Sequence, residues 1–306
     1  MIDPGDLPLS DELARRVIAS NFPNLGIAQI TGRYEGMDHH AVEVDSAWIF
    51  RFPKRAESAP MLLRELKLLP ILDPLLSVEI PQYTQVGSLS VEYPFTFAGY
   101  RKLLGVPAME LPQRSVDLDD LATVLRRVLD TLQAIPWDVV EALGVVHLEE
   151  LEDIATLRAS TLEELEQADG VLTTEVVDRC RTFLDRAGSN LPPHPGPPYL
   201  LHGDLSAEHL ILNPESGRVV AIIDWADACL GDPAYDLKFL WSWLGEGFVD
   251  RLLGASIESV DAGFRNRVRF YGVCTAVGEV AYGLSTGRSG NLRQGIAALD
   301  RMFGVP

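Results

Sequence analysis

The chain has 306 residues, 47% hydrophobic and 23% charged, with a formal net charge of −18. That size and balance describe a globular protein of one large or two ordinary domains. The acidic excess repels nucleic acid and anionic membranes and favours cationic small molecules. No apolar run approaches the ~18 residues of a membrane-spanning helix. The start, Met1-Ile2-Asp3-Pro4-Gly5-Asp6, lacks the basic and apolar regions of a signal peptide. Three cysteines, Cys180, Cys229 and Cys274, without CxxC spacing argue against a disulfide framework or a zinc site. The expected compartment is the reducing cytoplasm. Oligomeric state leaves no mark on the sequence.

Ser10 reads as the N-cap of an amphipathic helix over 11–20. Short strands follow at Ala41–Val44 and, after the Asp45-Ser46 turn, at Ala47–Phe52. Ser58 opens a helix with Pro60 in its first turn, an apolar stripe at Leu62, Leu66 and Leu69, and Pro70 as its expected end. Glu65 sits beside that stripe, an unusual place for a charge without a partner. Val91 to Leu104 reads as strand. Beyond Pro107 the texture is helical. Leu118–Leu132 carries a 3.6-period apolar pattern, Thr161-Leu162-Glu163-Glu164 reads as a capping box opening another helix, and Thr173–Arg186 is a third. Leu191–Pro198 is a proline-rich connector. Asp232-Pro233 caps a helix rich in aromatics, and the remainder to Phe303 is helical. A strand-rich region of some 100 residues thus precedes a larger helical one, giving an α+β class.

The chemistry concentrates between His202 and Asp224. Two apolar runs, His209-Leu210-Ile211-Leu212 and Ile222-Ile223-Asp224-Trp225, flank an Asn213–Gly217 turn and predict a β-hairpin. Such a hairpin would bring Asp204, His209 and Asp224 towards a common point. Zinc hydrolysis would want several imidazoles at helical spacing, and serine catalysis a GxSxG elbow. Neither is present. Phosphoryl transfer fits better, needing a carboxylate to orient a hydroxyl nucleophile and ligands for a phosphate-bridging metal.

His202-Gly203-Asp204 followed by His209 resembles the catalytic loop of protein kinases, and Ile222-Ile223-Asp224-Trp225 resembles their metal-binding segment. With His for Asn, with I-D-W for D-F-G, and with Gly231-Asp232-Pro233-Ala234-Tyr235-Asp236-Leu237 downstream, the chain resembles the aminoglycoside phosphotransferase family. The likeness runs from Gly32 almost to the C-terminus and is strongest towards 2″-aminoglycoside and macrolide kinases. It implies a bilobal, protein-kinase-like fold: a nucleotide-binding N-lobe over 1–99, a hinge over 100–105 and a catalytic C-lobe over 106–306. It implies Mg²⁺ as cofactor and GTP or ATP as donor. Asp204 would be the catalytic base, His209 and Asp224 the metal ligands, and His202 and Asp236 structural. Arg51 stands where kinases carry a phosphate-binding lysine, with Lys54 as the competing cation and Glu65 as the partner of that cation. Gly36 and Asp38 belong to the implied phosphate-covering turn. Tyr100, Arg101 and Leu103 belong to the implied hinge, and a bulky Tyr100 at the gatekeeper position favours GTP.

For the acceptor, Glu208, Asp227, Glu246 and Glu279 suit a polycationic aminoglycoside. Trp241, Trp243, Phe248, Phe270, Tyr271 and Tyr282 suit an apolar macrolide. The reading leans to an aminoglycoside-like antibiotic substrate, with another small-molecule alcohol as a further alternative. A nucleotide-binding module without turnover is the competing class.

Overall fold

The computed structural model describes residues 6–151, 153–168, 170–254, 261 and 263–304. The first five residues, read above for a signal peptide, lie outside these, as do residues 255–260 and 262 of the region expected to be helical. The chain forms two compact units, Met1–Gly105 with Ala221–Ala226, and Val106–Val220 with Asp227–Pro306. The short segment that counts with the first unit carries Asp224.

The first unit begins with α1 (Asp11–Asn21), whose Ser10 side chain accepts from the Leu13 N–H as expected of an N-cap. Strands β1 (Ile30–Glu35), β2 (His39–Val44), β3 (Trp48–Pro53), β4 (Tyr83–Gly87) and β5 (Phe97–Arg101) form an antiparallel sheet in the order β1-β2-β3-β5-β4. Register divides the side chains between two faces, because successive residues alternate. Val42 pairs with Phe50 and Val44 with Trp48, and these join Val17, Ile18, Phe52, Tyr93 and Phe97 in one apolar core. The rings of Phe52 and Phe97 stack at 4.6 Å. The alternate positions of β2 and β3 include His39, Ala41, Glu43 and Arg51, with Ala41 directly opposite Arg51.

Three expectations for this unit are corrected. Helix α2 (Ala59–Leu72) runs through Pro70 rather than ending there. Pro70 forgoes the hydrogen bond to the Leu66 carbonyl, and the helix ends two residues further on, at Leu72. The buried stripe is Leu62, Glu65, Leu68, Leu69 and Leu72, so Glu65 lies within the buried face and Leu66 is only half-buried. The strand expected over Val91–Leu104 is confined to Phe97–Arg101, and Val91 is fully exposed. Its β-branched side chain had suggested a strand that no neighbour pairs.

The second unit opens with β6 (Val106–Pro107) and α3 (Leu118–Ala134), capped by Asp117. Short helices α4 (Trp137–Glu141) and α5 (Leu148–Leu151) precede α6 (Ile154–Gln167). Here the capping-box expectation fails. Asp153 caps α6, and Thr161 lies inside it, its hydroxyl bonded back to the Leu157 carbonyl. After α7 (Thr174–Asn190), β7 (Tyr199–Leu201) pairs with β10 (Cys229–Gly231). The expected hairpin is β8 (Leu210–Leu212) and β9 (Val219–Ile222), neighbours in the order β6-β8-β9. Its turn is closed by the Asn213 side chain, which accepts from the Glu215 and Ser216 N–H groups. A single 3₁₀ turn, Tyr235–Leu237, leads into α8 (Lys238–Leu244), followed by α9 (Glu246–Leu253), α10 (Phe264–Thr286) and α11 (Ser289–Phe303). Helix α10 is buried on most of its circumference and forms the axis of the helical core. Among the described residues no helix is long and apolar enough to cross a membrane.

Candidate functional site

The candidate residues gather into two clusters, one in each unit. In the first, β3 delivers Arg51 and α2 delivers Glu65, both buried. Arg51 Nη1 lies 3.2 and 3.0 Å from the two Glu65 oxygens, and Nη2 donates to Asp224 Oδ1 at 2.7 Å. The Trp225 N–H reaches Glu65 Oε1 at 3.4 Å. Burial opposes the charge on Arg51, but Asp224 and Glu65 outweigh it and hold the guanidinium protonated. Burial pushes Glu65 up to about 7 against the pull of Arg51. Asp224 itself has φ +62°, a left-handed conformation that costs a non-glycine residue but suits Asp better than most. Strain of this kind is often stored at functional positions.

His39, which sequence reasoning passed over, completes this cluster with Nδ1 at 3.4 Å from Arg51 Nη2. Lys54, the competing cation, lies 4.0 Å from Asp6. Asp38 accepts from Arg55 Nη2 at 2.8 Å and from the Ser58 hydroxyl at 3.1 Å, while the Gly36 N–H donates to the His39 carbonyl. Tyr100 is buried on β5, edge-on to Tyr83 at 5.2 Å, and burial raises its phenol. Arg101 extends over the Trp48 ring at 4.1 Å, and Leu103 is half-buried.

The second cluster is the loop from His202 to His209. It is organised by Asp236, fully buried, whose two carboxylate oxygens accept the N–H groups of His202 at 2.9 Å and Gly203 at 2.8 Å. Gly203 sits at φ +85°, and a Cβ there would lie 2.1 Å from the Asp227 carbonyl oxygen, so the position requires glycine. The Asp204 N–H turns to His202 Nδ1 at 3.3 Å, leaving the Asp204 side chain 28% exposed while Leu205 and Ser206 are buried. His209 Nδ1 lies 2.9 Å from the Asp204 carbonyl oxygen and 3.5 Å from its carboxylate. A carbonyl only accepts, so Nδ1 carries a proton. The structure thus brings Asp204 together with His209, and Arg51 together with Glu65 and Asp224.

The acceptor candidates scatter. Glu279 is buried on α10, accepting from the Ser242 hydroxyl and from Gln294 Nε2 at 2.6 Å; burial, then Glu208 and Asp204, push it up to about 8. Glu208 is half-buried and lies 3.3 Å from Asn291 Nδ2. Glu246 is tied to Arg269, and Asp227 is exposed. Trp241, Phe248, Phe270 and Tyr271 are buried in the helical core rather than open to a ligand, the Trp241 ring lying against Gly272. Trp243 and Tyr282 are half-buried, Tyr282 beneath the Arg288 guanidinium at 5.5 Å.

A fold with an N-terminal antiparallel sheet and a helical C-terminal region, with a His-Gly-Asp loop braced by a downstream aspartate, is that of kinase-like phosphotransferases. The chain matches the APH phosphotransferase enzyme family over residues 29–270 and belongs to that family. It is 25% identical over 232 residues to the uncharacterized protein YcbJ of Bacillus subtilis, spanning 71% of each chain. Among solved structures, it resembles the GDP complex of wild-type aminoglycoside 2'-phosphotransferase-IIIa at 25% identity and a TM-score of 0.74, over 96% of this chain and 98% of that one. Macrolide 2'-phosphotransferase type I shares the fold, at 21% identity and a TM-score of 0.61, over 96% of this chain and 99% of that one.

Proposed function

We propose that this phosphotransferase moves the γ-phosphate of GTP or ATP to a hydroxyl of an aminoglycoside-like antibiotic. The observation that carries the reading is the Asp236-braced loop, which holds the Asp204 carboxylate partly open to solvent on an otherwise buried backbone. Asp204 would accept the hydroxyl proton as the oxygen attacks the γ-phosphorus and the nucleoside diphosphate leaves. In a loose transition state the nucleophile is weakly charged, so orienting the hydroxyl counts as much as deprotonating it.

Arg51 is the better candidate than Lys54 for the phosphates, because Glu65 fixes its guanidinium in a buried site while Lys54 lies by Asp6. The donor set also suits Mg²⁺. Asp224 would offer a hard, partly exposed carboxylate and His209 a ring nitrogen, and Mg²⁺ commonly fills its other positions with phosphate oxygens and water. When bound, the ion would neutralise charge on the β- and γ-phosphates. Tyr100, with the backbone of 100–103, would meet the purine, and the Gly36 turn would cover the phosphates. A buried, bulky Tyr100 supports GTP as the favoured donor.

The acidic chain, with Glu208, Asp227 and Glu246 near or at the surface, supports an amine-bearing acceptor. The buried state of Trp241, Phe270 and Tyr271 takes support from a macrolide. The named relative of TM-score 0.74 acts on aminoglycosides, in line with this choice. A kinase of this kind works in the cytoplasm, where its nucleotide donor is. The test is a phosphotransfer assay with both nucleotides against aminoglycosides and macrolides, in which an aminoglycoside is expected to give turnover.

A further inference from the structure

Arginine at position 51 has more to satisfy than a lysine would. Its Nη1 is taken by Glu65, while Nη2 faces Asp224 at 2.7 Å and His39 Nδ1 at 3.4 Å. The sheet register produces the third contact. Ala41 stands opposite Arg51, and His39, two residues along β2, shares its face. Diagonal neighbours on one face of a sheet are within reach of long side chains, and the small Ala41 leaves the path open. His39 is buried, 4% exposed. A guanidinium only donates, so at this contact Nδ1 accepts and the ring proton sits on Nε2, which is buried without a hydrogen-bond partner among the described residues. Burial and the Arg51 charge push the imidazole down to about 3, which keeps it neutral and an acceptor at any working pH.

We propose that His39 is a positioning residue that fixes the plane of the Arg51 guanidinium and so aims it at the nucleotide phosphates. The inference rests on the phosphate role given to Arg51 above. Glu65 alone grips one end of the fork and leaves the other free to swing. Asp224 grips that other end, but as a candidate cation ligand it has a competing task. His39 has none, and it holds Nη2 whether or not Asp224 does. The device also explains the departure from lysine: an ammonium is a point charge with no plane to orient, whereas a guanidinium needs acceptors at both ends. His39 and Arg51 therefore belong together.

The test compares His39→Leu, His39→Asn and His39→Gln, each also combined with Arg51→Lys, by calorimetric binding of Mg·GTP and Mg·ATP, by steady-state kinetics and by urea unfolding. Asn sets an amide oxygen near the Nδ1 position, whereas Gln sets it near Nε2. His39→Leu is expected to weaken nucleotide binding about tenfold, the effect of one hydrogen bond to a charged group, with the acceptor KM unchanged. His39→Asn should recover most of the affinity and His39→Gln little, a contrast that survives if the Leu variant does not fold. In the Arg51→Lys background none of the three should weaken binding further. Equal losses in both backgrounds, or Asn no better than Gln, would overturn the proposal. If the wild-type chain binds neither nucleotide, the functional reading fails, and the urea midpoints decide alone. Non-additive shifts for His39 and Arg51 support the positioning contact, and additive shifts refute it.

Discussion

Asp236 makes no contact with the candidate reactants in the proposed reaction, yet its removal should be among the most damaging single changes. Its carboxylate accepts two backbone N–H groups, from His202 and Gly203, at 2.9 and 2.8 Å in a fully buried site. Asp236→Ala leaves both donors without an acceptor, at about 1–3 kcal/mol each, so the gross cost is about 2–6 kcal/mol. Part of that is returned, because burial pushes the carboxyl up to about 6 and an ionised group there is held at a penalty. The net expectation at pH 7 is a loss of about 2–4 kcal/mol. The sign with pH follows from the raised value. The native state keeps the proton more readily than the unfolded chain, so the wild-type advantage is largest below 3.8 and shrinks as pH rises towards about 6. Urea unfolding of wild type and variant across this range measures both quantities, and phosphotransfer should fall in parallel as the Asp204 loop loosens. A loss below about 1 kcal/mol, or a gap that widens with pH, would refute this account of the loop.

Other changes have equally definite outcomes. Gly203→Ala forces a methyl group to within 2.1 Å of the Asp227 carbonyl oxygen at a positive φ, and should destabilise by more than about 3 kcal/mol, read as a fall in Tm. Arg51→Ala strands Glu65 in a buried site and should cost about 3–5 kcal/mol in urea unfolding, whereas Lys54→Ala should leave nucleotide affinity within about twofold. Burial first, then Glu208 and Asp204, raise Glu279 to about 8 from 4.5, so its contribution to stability is lost as pH climbs through that interval, by up to about 5 kcal/mol. Glu279→Gln keeps acceptor and volume but cannot ionise, so its Tm advantage over wild type should grow from pH 5 to pH 8; a constant difference would show that Glu279 does not titrate there.

The sequence was most legible where chemistry and position reinforce each other. Glu65 beside an apolar stripe demanded a cation, and Arg51 is that cation. Asp236, read as structural from its place in the downstream motif, braces the loop. Ser10, read as an N-cap, caps α1. Legibility failed where local pattern lacked tertiary context. Thr161 with Glu164 mimics a capping box but sits inside α6, because Asp153 had already satisfied the start of that helix. Val91 has a strand-forming side chain and no strand to pair with. Aromatics at helical spacing gave core and cleft the same signature, and Trp241 and Tyr271 proved to be core. His39 became meaningful only once the β2–β3 register placed Ala41 opposite Arg51. Nothing in the neighbouring residues announces that register before the strands are paired.

The central claim, that the Asp204 loop serves phosphoryl transfer to an amine-bearing antibiotic, is tested most directly by one comparison. Purified wild type and Asp204→Ala are incubated with Mg²⁺, γ-labelled GTP or ATP, and kanamycin-type aminoglycosides or macrolides, while nucleotide binding is measured on the same preparations. The account predicts label on an aminoglycoside with wild type, more with GTP than with ATP, a loss of about a thousandfold or more in Asp204→Ala, and nucleotide affinity largely kept. Wild-type turnover preserved in Asp204→Ala, or nucleotide bound with no hydroxylated acceptor ever labelled, would contradict it.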